Sequence, residues 1–313
     1  MRTAIIIPAY NEEQTIAQVM QEFHHELPDC EIYIVDNNSS DRTYSIATET
    51  YQLLGCKGRL LSEPRQGKAL AVRTAFQSVD ADVYLMVDGD CTYPADQVHE
   101  ILAPVLNGEA DMVVGDRLSD GHYSKENKRP LHDAGNRLIR WMINRLYDAQ
   151  LKDILSGYRA FSRRFVDTFP ILCRGFELET NLALHALDKR LKIIEIPVVY
   201  KDRPEGSVSK LNTIQDGARV LFLMFNIFRI YRPFSFFGTA SLFCLILSLF
   251  AGVLPVLDYV TEKYVYHIPL ALLASALVVL SVLFIAIALI LDGMAIGHRM
   301  DFENQLVRYK DER

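Results

Sequence analysis

Residues Val83 to Pro94, VYLMVDGDCTYP, decide how the chain is organised, because an apolar run ends there abruptly at Asp88, Gly89 and Asp90. A short, unbroken apolar run reads as a buried parallel strand, which puts both carboxylates at its C-terminal tip. In open α/β sheets that edge is where ligands bind, and two carboxylates one residue apart beside a glycine can share one hard cation. Asp-Gly is also ordinary turn chemistry. The stretch by itself leaves a metal-dependent phosphate site and a plain turn both open.

Working outward, residues 1 to about 115 alternate short apolar runs with helical patterns, the signature of a parallel sheet with covering helices. Ala4 to Ile7 is the first strand, followed by helical spacing over Glu12 to Phe23. Ile32 to Val35 is the second strand, after which Asp41 can cap a helix running to about Leu54. A helix over Gly67 to Gln77 leads into the strand before Asp88, and Met112 to Val114 forms the next. The loops at the strand ends are Pro8-Ala9-Tyr10-Asn11-Glu12-Glu13 and Asp36-Asn37-Asn38-Ser39-Ser40-Asp41. An acidic residue ending a second Rossmann-like strand is placed to accept hydrogen bonds from a ribose or base. No GxGxxG follows the first strand and no GxxxxGK[ST] occurs, which argues against a dinucleotide cofactor and a P-loop phosphotransferase.

The chain has 313 residues and a net charge of -6, which gives no support to general nucleic-acid binding. Pro233 to Leu257 and Ile268 to Leu291 contain no Asp, Glu, Lys or Arg, and each is long enough to cross a hydrocarbon core of about 30 Å. The alternative is a pair of buried core helices, but a soluble domain rarely needs two adjacent uncharged helices of that length. Arg219, Arg229 and Arg232 precede the first span and Arg299, Arg308, Lys310 and Arg313 follow the second, whereas Asp258 to His267 between them holds one Lys and no Arg. The positive-inside rule then puts both termini and the large domain in the cytoplasm, on the plasma (inner) membrane. No secretory signal is visible, and the five scattered cysteines read as reduced thiols.

PAYNEE, VDNNSSD, Gly67-Lys68-Ala69 and DGD after a strand, in that order, resemble the family 2 glycosyltransferases of the GT-A fold. The resemblance covers roughly residues 1 to 230. It implies an α/β fold, a GT-A Rossmann-like mixed sheet with covering helices, followed here by an interfacial helix and two transmembrane helices. It also implies a nucleotide-diphosphate sugar donor held by Pro8, Tyr10, Asn11, Glu12, Asp36, Lys68 and the DGD turn, with Asp36 near the base or ribose. Asp88 and Asp90 would sit at Mg²⁺ or Mn²⁺ and the diphosphate. For Glu12 and Glu13 the competing reading is a helix first turn complementing the macrodipole. Lys68 opens a helix whose N-terminus already favours anions.

Further along come Gly115-Asp116-Arg117, a polar segment from Ser119 to Arg129 that reads either as a mobile loop over the site or as a plain solvated loop, Gly135-Asn136-Arg137, Asp153 to Arg159 (DILSGYR), Gly175 to Thr180 (GFELET) and Arg203 to Lys210 (RPEGSVSK). The last combines cations, hydroxyls and a glycine just before the spans, which suits capture of an anionic phosphate near a bilayer; a basic juxtamembrane segment attracted to anionic lipid is the plainer reading. Together these motifs resemble the polyprenyl-phosphate glycosyltransferases, which include dolichyl-phosphate mannose synthases and bacterial undecaprenyl-phosphate sugar transferases. That resemblance places lipid phosphate at Arg117, Arg203, Ser207, Ser209 and Lys210, with Arg129 and Arg137 as further candidates. Asp153 becomes the orienting or proton-accepting carboxylate, with Glu177 and Glu179 behind it. All three also read as structural partners of nearby arginines. It further implies an inverting single displacement and a lipid-linked monosaccharide for glycan assembly or modification, with a UDP-hexose or UDP-N-acetylhexosamine favoured over GDP-mannose.

The expected organisation is a catalytic domain over 1–210, an amphipathic interfacial region over 211–232, a membrane hairpin over 233–292 and a cytoplasmic tail over 293–313. An oligomer with its spans side by side is compatible with it. Two other readings stand beside this one. Arg137 to Trp141, RLIRW, superficially matches the Q/RxxRW motif of processive polysaccharide synthases, although it precedes FELET and two spans are few for a polymer channel. A non-catalytic nucleotide-sugar-binding membrane protein would show degraded metal or phosphate motifs, and none is degraded here.

Overall fold

The computed structural model of the chain describes residues 1–119, 130–171, 178–201, 222 and 224–311. Six expected site residues, Arg129, Glu177, Arg203, Ser207, Ser209 and Lys210, lie outside them, as does most of the expected interfacial region. The chain divides into two compact units, Met1–Ala218 and Arg219–Arg313.

Among the described residues the first unit has seven strands: β1 (Thr3–Ala9), β2 (Glu31–Asp36), β3 (Lys57–Ser62), β4 (Val83–Met86), β5 (Met112–Asp116), β6 (Arg159–Ser162) and β7 (Ile193–Pro197). They form one sheet in the order β3-β2-β1-β4-β6-β5-β7. All neighbours are parallel except β6, which runs antiparallel to both β4 and β5. Ala4 to Ile7 and Val83 to Met86 are buried throughout, as strands covered on both faces must be. The chain winds from β1 through β2 to β3 and then returns to place β4 on the other side of β1. That reversal is a topological switch point, so the crevice lies at the carboxyl ends of β1, β2 and β4.

Among the described residues the helices of this unit are α1 (Ile16–Glu26), α2 (Thr43–Leu54), α3 (Lys68–Ser78), α4 (Val98–Leu106), α5 (Pro130–Tyr147), α6 (Arg163–Thr168) and α7 (Leu178–Asp188). In α1 the buried residues are Ile16, Val19, Met20 and Phe23, one helical face. That helix starts at Ile16 and not at Glu12. The amides of Glu12 and Glu13 are drawn instead to Thr43 Oγ1 (2.8 Å) and Asp41 Oδ2 (3.3 Å), which holds residues 12–15 as a turn. Asp41 does serve the start of α2, accepting from the Thr43 amide at 2.9 Å.

His185 in α7 is buried against the Phe165 and Phe169 rings, with Nε2 3.4 Å from Thr168 Oγ1. Burial, and after it the Lys189 charge, push the imidazole from 6.5 down to about 4. The unfolded chain therefore takes up a proton near pH 6.5 that the native chain refuses until about pH 4. Stability present above that window falls away through it on acidification, by roughly 3 kcal/mol. The melting temperature of the full-length protein is expected to drop across the window, and His185→Phe to flatten the drop. An unchanged slope in the variant would remove His185 as its source.

The second unit holds α8 (Pro233–Glu262) and α9 (Ile268–Asp311). Both are long and apolar enough to cross a membrane, and only 17% and 11% of their most apolar windows are buried within the protein. So little burial does not fit the buried-core alternative, and the two helices are candidate spans. Pro233 opens α8 where a missing amide is harmless. Ser241 Oγ donates to the Ser281 carbonyl (2.8 Å) and Ser248 Oγ to that of Ala274 (2.9 Å), polar ties between the two helices. Helix α9 runs through position 292 without a break in its backbone.

Candidate active site

The site is assembled from loops at the carboxyl edge of the sheet. The loops after β1 and β2 are stitched together: the Asn11 amide donates to Ser39 Oγ (3.0 Å), Asn11 Oδ1 accepts from the Ser40 amide (2.8 Å), and the Arg42 amide donates to Glu13 (3.1 Å). Asn11 and Asn38 take left-handed backbone angles, φ 54 and 60, a conformation asparagine tolerates better than most residues. Pro8 lies beyond Ile6, the last residue of β1 paired with β4, so its missing amide breaks no ladder to that strand. Tyr10 accepts from Gln66 Nε2 at 3.0 Å, and Glu12 Oε2 from Thr15 Oγ1 at 3.2 Å.

Asp36 ends β2 and is buried. Its Oδ2 accepts from the Ser39 amide at 3.4 Å, but Oδ1 is buried with no hydrogen-bond partner among the described residues. A buried carboxylate oxygen is costly to leave unpaired, so this atom points to a ligand donor. Next to it, Asn37 donates to the carbonyls of Glu63 (3.2 Å) and Arg65 (2.7 Å) and accepts from the Gly67 amide (2.7 Å). Gly67 has φ 140, which a side chain would strain. Asn37 thus fixes the turn that launches Lys68 at the first position of α3.

The Lys68 ammonium lies 2.5 Å from Asp88 Oδ1 and 2.6 Å from Glu179 Oε1, joining α3, the DGD turn and α7. Burial by itself would depress its pKa; Asp88 and Glu179 reverse that and raise it, so it stays charged. The DGD turn is fixed from below, Thr15 Oγ1 donating to the Gly89 carbonyl at 2.6 Å. Asp90 is buried and accepts from Thr92 Oγ1 at 2.6 Å. Asp88 and Asp90 offer only oxygen donors. Among the described residues no three His, Cys, Asp or Glu side chains are grouped to hold an ion on their own. This fits Mg²⁺ or Mn²⁺ sharing two carboxylates with substrate phosphates and water.

The loop before β6 closes the other side. Gly157 packs so tightly that an added Cβ would stand 2.3 Å from Asp88 Oδ2. Its amide donates to Tyr93 Oη at 2.8 Å, and the Tyr93 ring lies against Tyr158 and Tyr200. Arg159, fully buried at the start of β6, donates to the carbonyls of Ser156 (2.9 Å) and Ile154, which sets the loop's course. Burial lowers its guanidinium pKa, partly offset by Glu179 and Asp153.

Arg117 follows β5 and grips Asp153 with both arms, Nε to Oδ2 at 2.7 Å and Nη2 to Oδ1 at 3.0 Å, while its guanidinium lies 5.4 Å from the centre of the Tyr200 ring. Burial would raise the Asp153 pKa, but Arg117 overrides it and the net shift is downward. A carboxylate so paired orients a cation well and takes up a proton poorly. Of the two roles expected for Asp153, the geometry favours the first.

Asp36, Lys68, Asp88, Asp90, Glu179, Arg117 and Asp153 are therefore brought to one end of the sheet, while Arg137 stands exposed on α5 beside Trp141. Tyr93, Gly157, Arg159 and Asn37 are residues that sequence reading did not single out. For Gly157 and Arg159 the signal was present in SGYR, read as a motif without its mechanical role.

A family model described as glycosyl transferase family 2 matches residues 4–169. Glycosyltransferase AglJ of Haloferax volcanii is 31% identical over 238 residues, 76% of this chain and 75% of its own length. The UDP-N-acetylglucosamine–dolichyl-phosphate N-acetylglucosaminyltransferase of Methanococcus voltae is 26% identical over 238 residues, 70% of this chain and 92% of its own. Among solved structures, glucosyl-3-phosphoglycerate synthase from Mycobacterium tuberculosis, in complex with Mn²⁺, UDP-glucose and glycerol 3-phosphate, superposes with a TM-score of 0.52 at 22% identity, covering 72% of this chain and 79% of that one. At that identity the likeness supports the fold alone.

Proposed function

Because this chain belongs to glycosyltransferase family 2, we propose that it transfers a hexose or N-acetylhexosamine from a nucleotide-diphosphate sugar, a UDP-sugar by preference, to a polyprenyl phosphate. The observation that carries this reading is the Lys68 ammonium between Asp88 and Glu179 at the carboxyl edge of the sheet. A cation beside two turn carboxylates suited to a hard metal is what a departing diphosphate requires. The relative from Methanococcus voltae, named for a UDP-sugar donor and a dolichyl-phosphate acceptor, supports the choice of substrates.

The donor's ribose or base hydrogen-bonds the unpaired Oδ1 of Asp36. Asp88 and Asp90 would hold a divalent ion, Mg²⁺ or Mn²⁺, which when bound would supply Lewis-acid neutralisation of the diphosphate. Lys68 donates to the diphosphate oxygens as the bond to the anomeric carbon breaks, and Glu179 holds that ammonium in place. The acceptor phosphate has a second pKa near 6 and is largely dianionic at neutral pH, so it attacks without a protein base. Its oxygen forms the new bond to the anomeric carbon from the opposite face, inverting it, and the nucleoside diphosphate leaves. Arg117, held in orientation by Asp153, compensates the acceptor charge together with Arg203 and Lys210. Charge bias around α8 and α9 supports catalysis on the cytoplasmic side.

Arg203→Ala tests the acceptor assignment. The apparent KM for polyprenyl phosphate is expected to rise about tenfold, the loss of one charge-assisted contact, with the KM for nucleotide sugar unchanged. Equal losses for both substrates would make Arg203 structural.

A further inference from the structure

Strand β7 pairs with β5 so that Glu195 stands opposite Val114 and Pro197 opposite Asp116. The pairing continues one residue past the strand, the Val198 amide donating to the Asp116 carbonyl at 3.0 Å. The backbone that leads into Arg117 is therefore fixed by β7. Side chains alternate along a strand: Ile194 and Ile196 pack on the apolar core, and Glu195 turns to the other face. There Glu195 Oε1 accepts from the amides of Lys152 (2.8 Å) and Asp153 (2.9 Å), while Oε2 accepts from that of Lys152 (2.9 Å). Two successive amides converging on one anionic oxygen fix the backbone direction at both residues.

A carboxylate drawn partly out of water gains most from a cation. The cations near Glu195 are turned elsewhere: the Lys152 ammonium to Ser119 Oγ (3.3 Å), Arg140 to the Lys152 carbonyl (2.8 Å) and Arg117 to Asp153. Burial raises the Glu195 pKa, the two amides offset that only in part, and the charges of Asp116 and Asp153 add to the rise. What the carboxylate does achieve is to hold residues 152 and 153, and Asp153 is the residue that takes the Arg117 amide (3.2 Å), Nε (2.7 Å) and Nη2 (3.0 Å). One strand thus holds both members of the pair, Arg117 by its backbone and Asp153 by a side chain. Helix α5 grips the same loop through Asn144 at the Leu151 carbonyl (2.9 Å) and Arg140 at that of Lys152, and neither bond reaches Asp153. We propose that Glu195 is a positioning residue for the acceptor half of the site: through the Lys152 and Asp153 amides it sets the Asp153 carboxylate, and through that carboxylate the direction in which Arg117 meets the acceptor phosphate. The inference rests on the transfer to a lipid phosphate proposed above.

The experiment compares full-length parent, Glu195→Ala and Glu195→Gln by two readouts. The first is the rate at which phenylglyoxal modifies individual arginines, resolved by peptide mass spectrometry. The second is the pair of KM values for polyprenyl phosphate and nucleotide sugar. In Glu195→Ala, Arg117 is expected to react faster, while Arg163, paired with Asp80 and Asp82 at the opposite edge of the sheet, reacts as in the parent. The KM for polyprenyl phosphate is expected to rise about tenfold with that for nucleotide sugar unchanged. Glu195→Gln keeps a neutral oxygen for the amides and is expected to fall between parent and Ala on both readouts; it carries the test if the alanine variant does not fold. Parental reactivity at Arg117 in the variants would overturn the proposal. So would a freed Arg117 with an unchanged acceptor KM, and so would faster reaction at Arg163 together with equal losses for both substrates, which would make Glu195 a general support of the fold. A parent protein that transfers no sugar to polyprenyl phosphate defeats the transfer reading, and the arginine reactivities then still decide whether Glu195 orients Arg117.

Discussion

Gly157→Ala is expected to lower turnover on the order of 10²–10³-fold while the protein still folds. The new Cβ would stand 2.3 Å from Asp88 Oδ2, 2.8 Å from Cγ and 2.9 Å from Oδ1, distances that real Cβ contacts do not reach. Neither side has room to give. Asp88 Oδ1 is held by Lys68 at 2.5 Å, and the Gly157 amide is anchored on the Tyr93 hydroxyl at 2.8 Å. The carboxylate must therefore rotate out of the position in which, in the proposed reaction, it faces the diphosphate. The expected signature is a fall in kcat at saturating substrates and an altered metal requirement, with a melting temperature close to that of the parent. Wild-type turnover in this variant would mean that the position of the Asp88 carboxylate is immaterial.

Lys68→Met is expected to cost about 10³-fold in kcat, the scale seen when one charge-stabilising donor is removed from a dry site. It acts twice. The diphosphate loses its ammonium, and the Asp88 and Glu179 carboxylates, both bonded to that ammonium, are left facing each other without it. The second effect destabilises the native state as well, by about 1–3 kcal/mol, because Glu179 is buried. Lys68→Arg is expected to rescue stability better than turnover, since a planar guanidinium keeps the charge but not the compact geometry that bridges two oxygens within 2.6 Å. A Lys68→Met protein with full activity would place the diphosphate elsewhere.

The strands with unbroken apolar runs, β1, β2, β4 and β5, were legible because burial on both faces demands such runs. So were the carboxylates at the tip of β4 and the two uncharged stretches that became α8 and α9. Strand β3 was not, because it lies at the sheet edge and its residues KGRLLS are mostly exposed, leaving no hydropathy pattern. Strand β6 was hidden for the opposite reason. It is four residues long and begins with Arg159, a residue type that no pattern of apolar residues would place in a sheet interior, yet it is fully buried because backbone carbonyls of its own loop satisfy it. The candidate site was legible residue by residue but not as a mechanism. The bond from Lys68 to Glu179 joins residues 111 positions apart, and the contact that makes Gly157 indispensable depends on an antiparallel insertion between two parallel strands.

The central claim is sugar transfer to a lipid phosphate, and one assay addresses it directly. Full-length protein in membranes is given radiolabelled nucleotide sugars one at a time, a polyprenyl phosphate and Mg²⁺ or Mn²⁺, and the products are extracted into organic solvent. The account predicts label in the organic phase with one donor, lost on adding EDTA and absent when the polyprenyl phosphate is omitted. Nucleotide-sugar binding without extractable label from any donor, or label that accumulates only in long glycan, would contradict it.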